Sequence, residues 1–214
     1  GFIYGLLMLF TIYQALPKRW VPSRNDKLIY NDIGYLYIAN LTANGLWLIV
    51  FSFNNAAAFI IAAVVISGIL YTCIAIMVAT TKETVNVFEF ITLRTSMSVY
   101  AGWVTIATVL NVTFIFKSNG WRDGNDMTWD EETWGIIILW IALGIYIAAG
   151  WTYQNAVYAL VFNYAIFWIW YKRTAEEVDI KKNIVIISIL NGIWVMGYGV
   201  YSMVKGLGYF KFHK

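Results

Sequence analysis

Asn40, Asn44, Trp47 and Phe51 follow one another at steps of four, three and four, and Tyr100, Trp103, Ala107 and Asn111 at steps of three, four and four. At about 100° per residue, each set falls on one narrow face of a helix. Phe114 prolongs the second face, and Thr105 points to its far side. Both sets interrupt long apolar runs. An amide without a partner in hydrocarbon costs several kcal/mol, so these faces should meet protein, water or a ligand and not acyl chains. Two chemistries meet that demand. Asparagines can hydrogen-bond between helices, with Gly45, Gly102 and Ala107 allowing close approach. Alternatively, indole and phenol faces stack on a flat guest while amides orient its polar groups. Spacing leaves both open.

Other chemistries find little material. The only histidine is His213, in the tail, and the only cysteine is Cys73, inside an apolar run. An intrachain disulfide, a Cys/His metal cluster and a nucleophilic triad are therefore not expected. No acid or base stands in the middle of an apolar run, which disfavours a proton relay or ion-coupled transport. Asn40-Leu41-Thr42 and Asn111-Val112-Thr113 match glycosylation sequons, but both lie inside apolar runs. The stretch with Asp123, Asn125, Asp126 and Asp130 lacks the regular spacing of a calcium loop. It reads as a solvated loop, with Thr128 and Glu131 at capping-box spacing.

The elements that must carry these faces are helices in a bilayer. Of the 214 residues, 60% are hydrophobic and 13% charged, about half the charge of a soluble domain; mean hydropathy is +0.64. Apolar runs at approximately 1–16, 33–53, 56–80, 95–117, 133–150, 152–171 and 183–204 approach the roughly 20 residues that cross a bilayer. Backbone groups there must be satisfied internally, and "AAAFIIAAVVISGIL" lacks the alternation of a barrel strand. The fold class expected is all-α: a polytopic transmembrane helical bundle of about seven membrane-spanning segments, the first partial.

Lys18, Arg19, Arg24, Lys27, Lys82, Arg94, Lys205, Lys211 and Lys214 fall on one side of such a bundle, and Lys117, Arg122, Lys172, Arg173, Lys181 and Lys182 on the other. The bias places the first side in the cytosol. Trp20, Trp121, Trp129, Trp134, Trp151, Trp168 and Trp170 near helix ends suit an aromatic belt, whereas Trp47, Trp103 and Trp194 lie deeper. "NGIW" at 191–194 echoes "NGLW" at 44–47, and Asn155, Tyr158 and Phe162 share a face; both read as interhelical packing. The net charge of +3 is spread over loops, which does not suggest nucleic acid as a partner.

"LTANGLWLIVFSF", followed by an apolar helix and then "SVYAGWVTIATVLNVT", resembles the TspO/MBR family, the tryptophan-rich sensory proteins. One helix of that family carries an N-x-L-W core, matched by Asn44, Gly45, Leu46 and Trp47. A later one carries Y-x-x-W-V-[ST]-x-A-T-x-L-N, matched from Tyr100 to Asn111. "GFIYGLLMLFTIYQALP" resembles the end of the family's second helix, through Tyr4.

The resemblance implies that residues 1–117 supply helices two to five of a five-helix core, with the first helix lying before Gly1. It assigns 118–132 to an acidic loop and 133–214 to a three-helix extension. It also implies a pocket for a porphyrin, sterol or other lipid. Its lining would be Tyr4, Asn40, Asn44, Trp47, Phe51, Tyr100, Trp103, Ala107 and Asn111. Such a porphyrin would be held by stacking, because the lining offers no histidine or cysteine to its metal. The tyrosine that follows the Leu-Asn pair in a proposed sterol motif is Val112 here. A mitochondrial membrane is the location the resemblance favours. The partners expected are membrane lipids, a hydrophobic small molecule, and a homo-oligomer or larger membrane complex. The rival reading is an accessory structural subunit of such a complex, without ligand turnover.

Overall fold

The computed structural model describes residues 1–83, 85–118, 131–172 and 178–206. Residues 119–130, with the acidic loop and the capping box at Thr128, lie outside them, as does His213. Each expected apolar run is helical: α1 (Phe2–Ala15), α2 (Tyr35–Ser52), α3 (Ala56–Lys82), the single turn α4 (Val87–Glu89) leading into α5 (Ser96–Ser118), then α6 (Glu131–Thr152), α7 (Ala156–Lys172) and α8 (Val178–Lys205). Among the described residues, five stretches are long and apolar enough to cross a membrane: Tyr35–Ser52, Ala56–Lys82, Val87–Ile115, Glu132–Thr152 and Val178–Lys205. The protein is an all-helical bundle of membrane-spanning type.

α3 packs between α2 and α5, and α1 rests on α5 and the stretch leading into it. On its other side α5 meets α7, which with α6 and α8 forms a second group of three. Buried apolar residues from Leu7 to Ile187 join into one continuous cluster across both groups. Lipid tails are as apolar as leucine, so shape and hydrogen bonds, more than hydrophobic burial, must decide which helices pair.

The seam between α5 and α7 shows both. A Cβ on Gly102 would stand 2.7 Å from the Tyr158 carbonyl oxygen and 2.9 Å from Val161 Cβ, so only glycine allows this approach. Flanking it, Asn155 donates to Ser98 Oγ at 2.7 Å, and the Thr105 and Tyr158 hydroxyls lie 2.7 Å apart. Tyr146 of α6 donates its hydroxyl to the Gly102 carbonyl. Thr105 does turn away from the Tyr100 face, as its position on the helical wheel requires. In the second group the Trp194 indole fills the space a Cβ on Gly150 would occupy, 2.5 Å away, and stacks on Tyr198.

Two local features depart from the sequence expectation. Lys27–Ile33, within a charged stretch, forms a π-helical segment whose Leu28, Ile29 and Ile33 are buried. The run expected from residue 95 begins earlier, at Val87, and passes through a π-helical stretch, Phe90–Thr95. Glu89 and Arg94 disguise this stretch as a loop, yet both side chains are fully buried.

Candidate functional site

The asparagine face of α2 meets α3, α1 and α5 in turn. Asn40, fully buried, donates to the Ile69 carbonyl at 3.2 Å, to Thr72 Oγ1 at 2.7 Å and to Cys73 Sγ at 3.1 Å, while its own Oδ1 has no partner. One turn on, Asn44 donates to the Tyr100 hydroxyl at 2.5 Å and to that of Tyr4 at 3.1 Å. A single amide thus ties three helices together, and the two phenol rings lie 6.5 Å apart. A further turn down, Trp47 Nε1 reaches Asn111 Oδ1 at 3.4 Å, and Asn111 Nδ2 returns to the Ala107 carbonyl at 2.9 Å.

Below the amides the site becomes aromatic. The Trp47 ring stacks on Phe51 at 5.1 Å. Phe51 meets Phe59 and Phe114 at 5.4 and 5.7 Å, and those two stack on each other at 5.6 Å. Phe59, from the first turn of α3, is the member that sequence reasoning missed, because the polar residues of its run, Ser67 and Thr72 among them, lie far along the helix and mark no face at its start. Thr72 and Cys73 were missed because no second amide or indole repeats at helical spacing beside them. The result is a polar upper tier (Tyr4, Asn44, Tyr100) over an apolar lower tier, with Trp47 and Asn111 between them.

Seven of the nine expected residues fall into two contact groups on the α1–α2–α5 side: Tyr4, Asn44 and Tyr100 in one, and Trp47, Phe51, Ala107 and Asn111 in the other. Asn40 turns instead to α3. Trp103 stands apart. It is 44% exposed, and the ring contact it makes is with Tyr164 of α7, at 6.5 Å. On the helical wheel it lies about 60° from Tyr100, at the edge of the stripe, where α5 turns from the site toward α7. Tyr4 is likewise 54% exposed, so the assembly is closed toward α3 and open on the opposite side.

A second set of polar side chains gathers at the end where α1 and α3 finish. Arg24 donates Nη1 to the carbonyls of Tyr13, Gln14 and Leu16 at 3.3, 3.0 and 2.6 Å, and Nε to Asp26 at 2.6 Å. Arg94 does the same for α3. Its Nε meets the Thr80 carbonyl at 3.1 Å, and Nη2 meets that oxygen and the Glu83 carbonyl, the latter at 2.6 Å. The last carbonyls of a helix lack intrahelical donors and carry its negative pole, so each guanidinium satisfies and neutralises a helix end. Glu89 accepts from the Tyr13 hydroxyl at 3.1 Å, the Asn25 backbone at 2.7 Å and the Asn86 backbone at 3.3 Å. Outside the span, the Arg24 hydrogen bond holds the Asp26 carboxyl below its usual value, with Lys18 adding to the effect.

The fold and these two tiers define a polytopic helical membrane protein whose first four long helices present a shared amide and aromatic face. The model of a family described as TSPO-like protein matches residues 1–201, and the chain belongs to that family. The match runs past residue 117 into α8. Searches of the curated proteins and of the solved structures return no match.

Proposed function

We propose that the α1–α2–α5 face binds a flat hydrophobic molecule, a porphyrin, a sterol or another lipid, inside the bilayer. The observation that carries this reading is the Tyr4–Asn44–Tyr100 link, set directly above Trp47 on a side of the bundle that Tyr4 and Trp103 leave half exposed. A site that is mostly apolar, with a few convergent polar groups, suits such a guest. Trp47 and Tyr100 offer stacking faces. Asn44 and Asn111 orient a carboxylate or hydroxyl. Ala107 leaves room, and Trp103 walls the outer edge.

The residues fit a porphyrin held by its ring and not by a metal. Cys73 is fully buried, and its sulfur is already engaged by Asn40. Nothing in the site calls for catalysis, and the reading is of a binding protein. Family membership favours a mitochondrial membrane.

The test is titration of the purified full chain with protoporphyrin IX, followed by quenching of tryptophan emission. Tight binding should weaken at least tenfold in a Trp47→Ala, Trp103→Ala double variant of unchanged helicity. Equal affinity in that variant overturns the site.

One observation favours a second reading, an accessory subunit of a larger membrane assembly. The Asn44 amide is already engaged by Tyr4 and Tyr100, so the upper tier also works as pure packing. Extraction in mild detergent followed by size analysis separates the two. Comigration with a fixed set of other subunits supports the assembly, whereas a monomer or small homo-oligomer that binds the porphyrin supports the pocket.

A further inference from the structure

A different part of the molecule, away from the α1–α2–α5 face, carries a cleft. The last two turns of α1, the loop after it and α4 border an open cleft of about 380 Å³, within the roughly 300–1,000 Å³ of small-molecule sites. Leu9, Ile12 and Leu16, at helical spacing, form one wall, and Val21, Pro22 and Phe88 face them. The pocket opens to the side, where Leu9 and Ile12 are each about half exposed. It sits where α1 ends among charged residues, the level at which lipid headgroups meet hydrocarbon.

Two polar side chains of the lining, Asn86 and Tyr13, are already engaged. Asn86 donates to the Tyr13 hydroxyl at 3.0 Å and to the Ser23 carbonyl at 3.1 Å, and Tyr13 donates to Glu89. A guest that depends on hydrogen bonds deep in the pocket finds few there, so the part that enters must be apolar.

Charge at the mouth selects the remainder. Lys18 is bound to Asp26 at 3.2 Å and to the Arg24 carbonyl, and Arg24 caps α1. Arg19 differs: it is exposed, lies 5.9 Å from the ring of Trp20, a pocket residue, and has no acidic partner among the described residues. An apolar cleft opening sideways at headgroup level, with one unneutralised guanidinium at its rim, matches one molecular shape. We propose that the pocket holds an acyl chain of an anionic phospholipid whose phosphate lies against Arg19.

The experiment is native mass spectrometry of the full chain, released from detergent after incubation with phosphatidylglycerol or phosphatidylcholine of identical chains. The wild-type protein should retain one phosphatidylglycerol, with about fivefold preference over phosphatidylcholine, the scale expected of one basic side chain at a membrane surface. Arg19→Gln, at an exposed position, should erase the preference and leave chain binding. Ile12→Trp should fill the cleft and abolish retention of both lipids. The proposal is overturned if the wild-type protein shows no headgroup preference, if R19Q keeps it, or if I12W retains lipid as the wild type does. Porphyrin binding measured on the same variants should not change, which separates failure here from failure of the α1–α2–α5 site.

Discussion

Gly102 lies against the Tyr158 carbonyl so closely that any side chain on it would displace α7 from α5. The polar contacts of Ser98, Thr105 and Tyr146 lie on either side of this approach, so the first four long helices and the last three are locked by shape at one place and by hydrogen bonds around it.

Gly102→Val should therefore destabilise the protein by about 1–3 kcal/mol, the usual cost of overpacking. Cys73 reports on it conveniently, being fully buried in the helix on the other side of α5. Its labelling by a membrane-permeant maleimide should be slow in the wild type and faster in the variant. An unchanged labelling rate and unfolding midpoint would show that α7 can move off without cost.

The Asn44 bridge makes a prediction about coupling. Asn44→Leu leaves the Tyr4 and Tyr100 hydroxyls without their amide, while Tyr100→Phe leaves Asn44 still bonded to Tyr4. In a double-mutant cycle the two changes should be non-additive by about 0.6 kcal/mol, the average for hydrogen bonds between membrane helices. Strict additivity would mean that the 2.5 Å contact does not contribute to stability.

Arg94 should be among the least replaceable residues outside the candidate pocket. Arg94→Ala exposes two carbonyls at the end of α3 to a dry environment, and a loss of about 2–3 kcal/mol is expected for hydrogen bonds from a charged donor. Arg94→Lys keeps the charge without the planar fork and should recover part of that. Denaturation in mixed micelles would rank the three proteins, and equal midpoints would refute the capping role.

The Arg24–Asp26 pair gives a pH signature. The folded carboxyl titrates below its usual 3.8, so whatever it contributes to stability is complete above that value and is lost as pH falls through the lowered one. Proteolysis of the loop after α1 should rise in that acid range for the wild type. Asp26→Asn should be cleaved at the same rate across it. A wild type with no acid-dependent change would remove the pair from the account.

The helices were legible because apolar length is a direct consequence of the solvent they occupy. The stripe from Asn40 to Phe51 was legible for a related reason, since an amide cannot face acyl chains. What escaped was pairing at a distance. Arg24 and Arg94 look in sequence like ordinary loop cations and weigh as such in the charge asymmetry. Which cation will cap a helix end depends on where a segment many residues away finishes, so no local pattern announces it. Trp103 illustrates the limit of the wheel: 60° of rotation is small in projection, but at the boundary between two neighbouring helices it changes which one the indole touches. That Gly102 allows a close approach was legible, but not that α7 is the helix it meets, since a glycine in an apolar run gives no direction.

α8 spans Val178–Lys205, 28 residues, a rise of about 42 Å where the hydrocarbon layer measures about 30 Å. Its surplus length lies at the start, where Asp179, Lys181 and Lys182 precede the apolar run. That turn stands among the headgroups as a rigid extension of the span, so a deeper bilayer could cover it only by burying charge.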